Sequence, residues 1–254
     1  MEIIADLHIH SRYSMATSKL GTPEYLDLWA RKKGISLVGT GDFTHPAWRE
    51  ELKEKLVPAE TGLYRLKEEY VLEEAKLLPG QAPRFVITGE ISSIYKKNGK
   101  CRKVHNVLLL PGLEAADQMA GKLEQIGNIY SDGRPILGLD CHDLLEILLE
   151  NCKDGILVPA HIWTPHFGLF GAASGFDTME ECFEDLTQYV HAVETGLSSD
   201  PPMNWRLSAL DGLQLISNSD AHSPSRLGRE ANLLDMELSY EGLYNAIQYG
   251  KGLM

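Results

Sequence analysis

The chain has 254 residues, a net charge of −12, 43% hydrophobic and 24% charged residues. That balance suits a globular protein of one large α/β domain or two small ones, and no apolar run approaches the roughly 20 residues of a membrane span. The acidic charge argues against a generic basic nucleic-acid binder but leaves room for a nuclease whose local charge comes from bound metal ions. Four scattered cysteines (Cys101, Cys141, Cys152 and Cys182) form no C-x-x-C pair, which excludes a zinc ribbon and a thioredoxin-like motif. The start of the chain lacks the basic and apolar blocks of a signal peptide, so a cytoplasmic location is expected.

In chain order, Met1 to Leu7 reads as a short buried strand, with β-branched Ile3 and Ile4. Residues i and i+2 of a strand face the same way, about 7 Å apart, so His8 and His10 look in one direction from its carboxyl end. Alone, such a pair is more often two ordinary histidines than a ligand pair. Thr22-Pro23-Glu24 opens a helix that runs to about Lys33 and ends at Gly34. Residues 35–39 form a strand leading to Asp42 and His45; the mixed-charge runs 50–55 and 68–76 read as solvated helix faces. Residues 85–89 lead to Glu90. Asn98-Gly99 is a hairpin turn, so the strand over 104–110 runs back and carries His105 near its start. Helices are expected over about 114–125 and 141–151. The strand at 156–160 leads to His161 and to a glycine-rich, aromatic loop reaching Phe176. That loop reads equally as a lid or stacking platform for an extruded base and as a packed surface loop. A helix over 178–188, a strand over 190–193 leading to Glu194, a helix over 203–211, a strand over 213–216 leading to Asp220 and His222, and a helix over 239–249 complete the chain. Seven strands largely alternating with helices predict a parallel sheet or barrel, whose sites gather at the carboxyl ends of the strands.

The polar residues fall there together. His8, His10, His45, His105, His161 and His222, with Asp42, Glu90 and Asp220, would be costly as unpaired buried groups, and divalent ions relieve that cost. Imidazole and carboxylate without thiolate suit zinc, manganese or iron, with magnesium also within range. Nine donors exceed one tetrahedral ion and suit two or three, with Glu90 or Asp220 as a bridge. Such a cluster favours an anion and an activated water, the requirements of phosphate-ester hydrolysis.

Asp6-Leu7-His8-Ile9-His10-Ser11, Gly41-Asp42 with His45, Gly89-Glu90, His105, Pro159-Ala160-His161 and Ser219-Asp220-Ala221-His222 together resemble the polymerase-and-histidinol-phosphatase (PHP) superfamily, in order and over nearly the whole chain. The resemblance implies a distorted (β/α)7 TIM-like barrel with a metal cluster, often trinuclear, at its mouth. Many members have Asp-His in the second motif; here Phe43 follows Asp42, so either or both of Asp42 and His45 are ligand candidates. Gly39 to Pro46, His161-Ile162-Trp163-Thr164-Pro165 and Glu194 to Asp200 are similar to the endonuclease Q branch, whose members cut DNA on the 5′ side of deaminated bases and at abasic sites. Those proteins continue into a zinc-binding segment and a helical part that help hold DNA. Residues 1–254 are therefore expected to be a single catalytic domain without that part.

The resemblance gives His8, His10, Asp42, His45, Glu90, His105, His161, Asp220 and His222 as metal ligands, with Glu90, Asp220 and His222 acting in catalysis. Trp163, Arg206, Arg226, Arg229 and, more weakly, Lys19 are candidates for holding substrate. Each arginine equally suits a surface ion pair. Glu194 suits a substrate loop or an anchor behind the ligands, while His142, His166 and His191 suit structural or solvent roles. The expected function is metal-dependent cleavage of DNA carrying deaminated bases. The alternatives are a small-molecule phosphatase of the histidinol-phosphatase type and a non-catalytic barrel stapled by metals.

Overall fold

A computed structural model describes residues 1–254. The elements in chain order are β1 (Glu2–Asp6), α1 (Pro23–Lys33), β2 (Leu37–Gly39), α2 (Pro46–Lys55), β3 (Leu56–Pro58), β4 (Tyr64–Leu66), α3 (Glu73–Lys76), β5 (Arg84–Lys97), β6 (Lys100–Leu110), α4 (Leu113–Glu124), β7 (Ile136–Leu137), α5 (Cys141–Asn151), β8 (Ile156–Pro159), α6 (Met179–Phe183), β9 (Ala192–Glu194), α7 (Pro201–Asn204), β10 (Gln214–Ile216), β11 (Asn232–Asp235) and α8 (Tyr240–Tyr249).

Local chemistry sets many of these boundaries. α1 starts on Pro23, carries Glu24 in its first turn and Arg31, Lys32 and Lys33 in its last, and stops at left-handed Gly34, although the Thr22 side chain makes no capping bond. Asp140 caps α5 through the His142 N–H, and Ser239 caps α8 through the Gly242 N–H. Asn98 and Gly99 both have positive φ, the requirement of a two-residue hairpin turn between β5 and β6. The helix expected over 178–188 is α6 followed by a 3₁₀ turn, broken at Glu184, whose φ is 51°. The one expected over 203–211 splits into α7, started by Pro201, and a 3₁₀ turn at Ser208–Leu210, with extended Leu207 between.

All seven expected strands are present, joined by β3, β4, β7 and β11. β1, β2 and β5 pair in parallel, β5 with β6 and β6 with β8 antiparallel, and β11 runs antiparallel along β1, so the large sheet is mixed. β9 and β10 form a separate parallel pair. The ladders do not close into a barrel. Between the two sheets stand an isolated bridge from Ile9 to Ala221 and a 3.1 Å bond from the Ile162 N–H to the Glu194 carbonyl. Packing nevertheless gathers the strands: Ile3, Leu37, Val86, Val107, Val158, Ala192 and Ile216, one from each of the seven expected strands, share one buried apolar cluster. A larger cluster including Trp48, Phe85, Leu144 and Phe183 fills the space between sheet and helices. The carboxyl ends of β1, β8 and β10 thereby come to one side.

Candidate metal centre

β1 delivers His8 and His10 in fully buried positions. Each ring is held from behind by a buried carboxylate. Nδ1 of His8 lies 3.0 Å from Glu194 Oε1, and Nδ1 of His10 lies 3.1 Å from Asp42 Oδ1. An ionised carboxylate only accepts, so each Nδ1 donates to it and each Nε2 is left to face the cluster. Both Nε2 atoms are buried without a hydrogen-bond partner. They face Glu90 Oε2 at 3.6 Å and 3.3 Å, and Asp220 Oδ1 at 3.7 Å and 3.1 Å. Asp220 Oδ1 is likewise buried and without a hydrogen-bond partner.

The other oxygen of Glu90 turns the opposite way. Oε1 lies 2.7 Å from His105 Nδ1 and 3.1 Å from His161 Nε2. His161 Nδ1 is held by the Thr164 hydroxyl at 3.0 Å, which again points Nε2 into the cluster. Two groups result, His8–His10–Asp220 and Glu90–His105–His161, each with ligand atoms within 4.8 Å of one another, and Glu90 faces both. The orphaned, buried Nε2 atoms of His8 and His10, and the His105 and His161 nitrogens against Glu90, converge with carboxylate oxygens in a set that fits a pair of divalent cations with nitrogen and oxygen preference.

The electrostatics follow from this crowding. Burial works against charge on Glu90, but the His105 and His8 imidazoles outweigh it and hold the carboxyl well below the usual range. Burial likewise opposes charge on Asp220, yet the adjoining His10 ring and the field of His8 bring it down to about 2. Burial disfavours protonated His8, but Glu194 and Glu90 raise its pKa well above the usual value. At His105 burial prevails and the pKa is lowered.

Sharp backbone turns place the ligand candidates. Asp42, His161 and Asp220 all have positive φ (49°, 29° and 47°), a conformation rare outside glycine, each just past the end of a strand. Gly39 and Gly41 let β2 and the turn behind it close on β1: a Cβ there would lie 2.4 Å from the Leu7 carbonyl and 2.3 Å from that of Ile9. Gly196, after Glu194, leaves room for His161 in the same way.

Asp42 and His45 enter neither group. Asp42 accepts from the Ser11 N–H and hydroxyl (both 2.7 Å) and the Ser14 hydroxyl (2.8 Å), as well as holding His10. His45 places Nε2 3.0 Å from the Tyr130 carbonyl and stacks on Tyr13. His222 lies against the His10 ring at 4.6 Å, its Nδ1 3.0 Å from the Asp220 carbonyl. Glu194 faces inward, also accepting from the His161 N–H and from Asn218. The Trp163 indole N–H donates to Asn204 at 2.7 Å. Lys19, Arg206 and Arg226 are exposed and make no side-chain hydrogen bond or ion pair, while Arg229 donates to the Ser219 and Asp220 carbonyls. The 161–176 loop is packed rather than loose: Gly168, Gly171 and Gly175 sit within 2.8 Å of neighbouring backbone where a Cβ would be. Its Phe167 tilts against His105 at 4.5 Å. Phe167 and His166 line a cavity of about 320 Å³ that opens beside His105, His161 and Asp220.

Sequence reasoning passed over two residues. Asp6, fully buried, accepts from the Ser219 and Gly228 N–H groups at 3.0 and 2.8 Å and so anchors the loop carrying Asp220. Its same-face spacing from His8 and His10 was the available signal. Arg134, in the loop before β7, donates to Glu90 Oε2 at 3.1 Å. No periodicity or motif marks it.

No family model matches the chain. The structure is similar to that of the lesion-specific endonuclease PfuEndoQ from Pyrococcus furiosus, with a TM-score of 0.83 and 32% identity, covering 100% of this chain and 57% of that one. Endonuclease Q in complex with a 27-mer duplex carrying an abasic lesion at the active site matches with the same TM-score and identity, covering 100% and 58%. Among curated proteins, the uncharacterized protein YqxK of Bacillus subtilis is 29% identical over 249 residues, 92% of this chain and 58% of that protein. The chain thus spans little more than half the length of these relatives. Fold and site are consistent with the PHP superfamily of metal-dependent phosphoesterases. Within it, the chain stands near the endonuclease Q branch.

Proposed function

We propose that the chain is the catalytic part of a divalent-metal-dependent phosphodiesterase acting on DNA, with cleavage 5′ of deaminated bases or at abasic sites as its specific form. The observation that carries this reading is the pair of carboxylate-backed histidines, His8 and His10, presenting orphaned Nε2 atoms towards Glu90 and Asp220. His8, His10 and Asp220 would hold one ion, His105 and His161 the other, and Glu90 would bridge them. A bound pair supplies Lewis-acid polarisation of phosphoryl oxygens and lowers the pKa of water. His222, next to Asp220 and tilted against His10, keeps Nε2 for a proton or a phosphate oxygen. Arg134 has guanidinium donors beyond the one given to Glu90, and these suit a phosphate. The cavity between Phe167, His166 and the cluster suits an extruded nucleotide.

Asp42 and His45 are not assigned to either ion in this reading: Asp42 orients His10, and His45 belongs to the wall formed with Tyr13. The strands' common core supports a barrel opened between β8 and β9 and between β10 and β1. DNA containing uracil, hypoxanthine or an abasic site, offered with manganese, magnesium or zinc, tests the proposal. Cleavage that is lost in Asp220→Asn and His8→Ala supports it; unchanged cleavage in both variants rejects the metal roles. The cavity of about 320 Å³ also lies within the range of small-ligand pockets, so a phosphate-monoester panel run alongside separates a small-molecule phosphatase from a nuclease.

A further inference from the structure

The strand pair that carries Glu90 and His105 does not stop at the site. β5 and β6 continue to the Asn98-Gly99 turn, pairing Ser92 with His105, Ile94 with Lys103, Lys96 with Cys101 and Lys97 with Lys100. Side chains alternate across a strand, so Glu90, Ser92, Ile94 and Lys96 share one face with His105, Lys103 and Cys101. The opposite face is covered. There Tyr95 meets Cys182 at 3.8 Å, Lys97 pairs with Asp140 and Glu184 at 3.1 and 2.6 Å, and the Arg102 guanidinium lies 4.2 Å from the Phe176 ring centre.

Two cations remain on the site face. Lys103 stands one same-face step from His105, about 7 Å along the strand, and Lys96 lies opposite the next step. Lys96 is exposed, Lys103 is half-buried with its ammonium 5.5 Å from the Phe167 ring centre, and neither has an acidic partner within ion-pair distance. In a chain with 36 acidic residues against 24 Lys and Arg, these two lysines place unneutralised positive charge in line with the cluster. Ser92, between Glu90 and Ile94 on the same face, has a buried hydroxyl with no partner.

We infer that this face of the β5–β6 hairpin is a track for the phosphodiester backbone of a nucleic-acid strand running from the cluster, with Lys103 and Lys96 meeting phosphates beyond the one held there. The inference deepens the DNA reading and rests on it for the strand's presence at the cluster. Ammonium groups serve as point charges for phosphate, and each contact made releases counterions. Phe167, beside Lys103 and in the wall of the cavity, joins the track to the site.

Fluorescence anisotropy of duplex DNA across a salt series, with Lys96→Gln/Lys103→Gln beside the wild type, tests this. The double variant is expected to bind several-fold more weakly, equally for damaged and undamaged duplex, and to lose about two units of salt slope. Lys100→Gln, at the hairpin tip on the other face, keeps wild-type binding. Turnover of bis(p-nitrophenyl) phosphate, which has no flanking phosphates, stays at the wild-type level in the double variant. Unchanged affinity and slope in the double variant, an equal loss in Lys100→Gln, or a wild type with no salt-dependent binding overturns the track. Aryl diester turnover with unchanged DNA binding defeats the track and spares the phosphodiesterase reading. Weakened DNA binding with no diester turnover in the wild type does the reverse. Lys96→Arg/Lys103→Arg keeps the slope if charge is what matters.

Discussion

What stands behind each ring decides the chemistry at His8 and His10. Glu194 and Asp42 hold Nδ1 of each and leave Nε2 without a hydrogen-bond partner in a buried position. Asp42→Asn and Glu194→Gln are expected to fold and to lose about 10–100-fold in metal affinity, read by titration calorimetry with manganese or zinc; wild-type affinity in both would show that these carboxylates do not orient the rings. Glu90→Gln removes the one group facing both halves of the cluster, so cooperative binding of two ions is expected to give way to weak binding of at most one. Much of this was legible in the sequence, because His8, His10, His161 and Asp220 each follow an apolar run. Glu194 was read as an anchor behind the ligands or a substrate-loop residue and Asp42 as a ligand candidate, since strand-end position alone does not say whether a carboxylate points at an ion or at the histidine beside it. Arg134 left no trace, because it reaches Glu90 from an irregular loop.

Glycine positions separate the elements that must touch from those that stand free. Gly41→Ala would force a Cβ to 2.3 Å from the Ile9 carbonyl at a φ of +65°. A loss of about 2–3 kcal/mol is expected from that clash and strain, together with displacement of Asp42. Gly121, in α4, has nothing within 4 Å of an added Cβ, so Gly121→Ala is expected to stabilise by about 0.5–1 kcal/mol. Calorimetric melting of the two variants checks both signs. The seven strands that carry or precede site residues were readable as apolar runs. β3, β4, β7 and β11 were not, being two to four residues long and defined by pairing with distant partners. β5 outruns its apolar core because the hairpin continues its ladder through polar Ser92, Ser93, Lys96 and Lys97.

Over the whole molecule, the sequence pattern of alternating strands and helices predicted a parallel sheet or barrel; the strands do share one core, yet their ladders form a mixed sheet and a separate two-stranded one that do not close. Short β9 and β10, three residues each, end where the site loops begin, so backbone pairing yields there to side-chain bonds such as Asn218 to Glu194 and Asp6 to Ser219. No helix is long and apolar enough to cross a membrane. The packing also partitions the thiols: Cys101 is exposed, Cys141, Cys152 and Cys182 are buried, and burial beside Asp154 pushes Cys152 up to about 11. Ellman's reagent at mildly alkaline pH is expected to modify one thiol quickly in the native protein and all four after denaturation. Fast reaction of more than one native thiol would show that the helices around β5 and β6 open.

Elemental analysis of the purified protein, paired with melting before and after chelation, tests the central claim most directly. About two divalent transition-metal ions per chain are expected, with a melting temperature that falls on chelation and recovers on adding manganese or zinc. A protein that carries no such ion, binds none on titration and melts at the same temperature with or without chelator would contradict it.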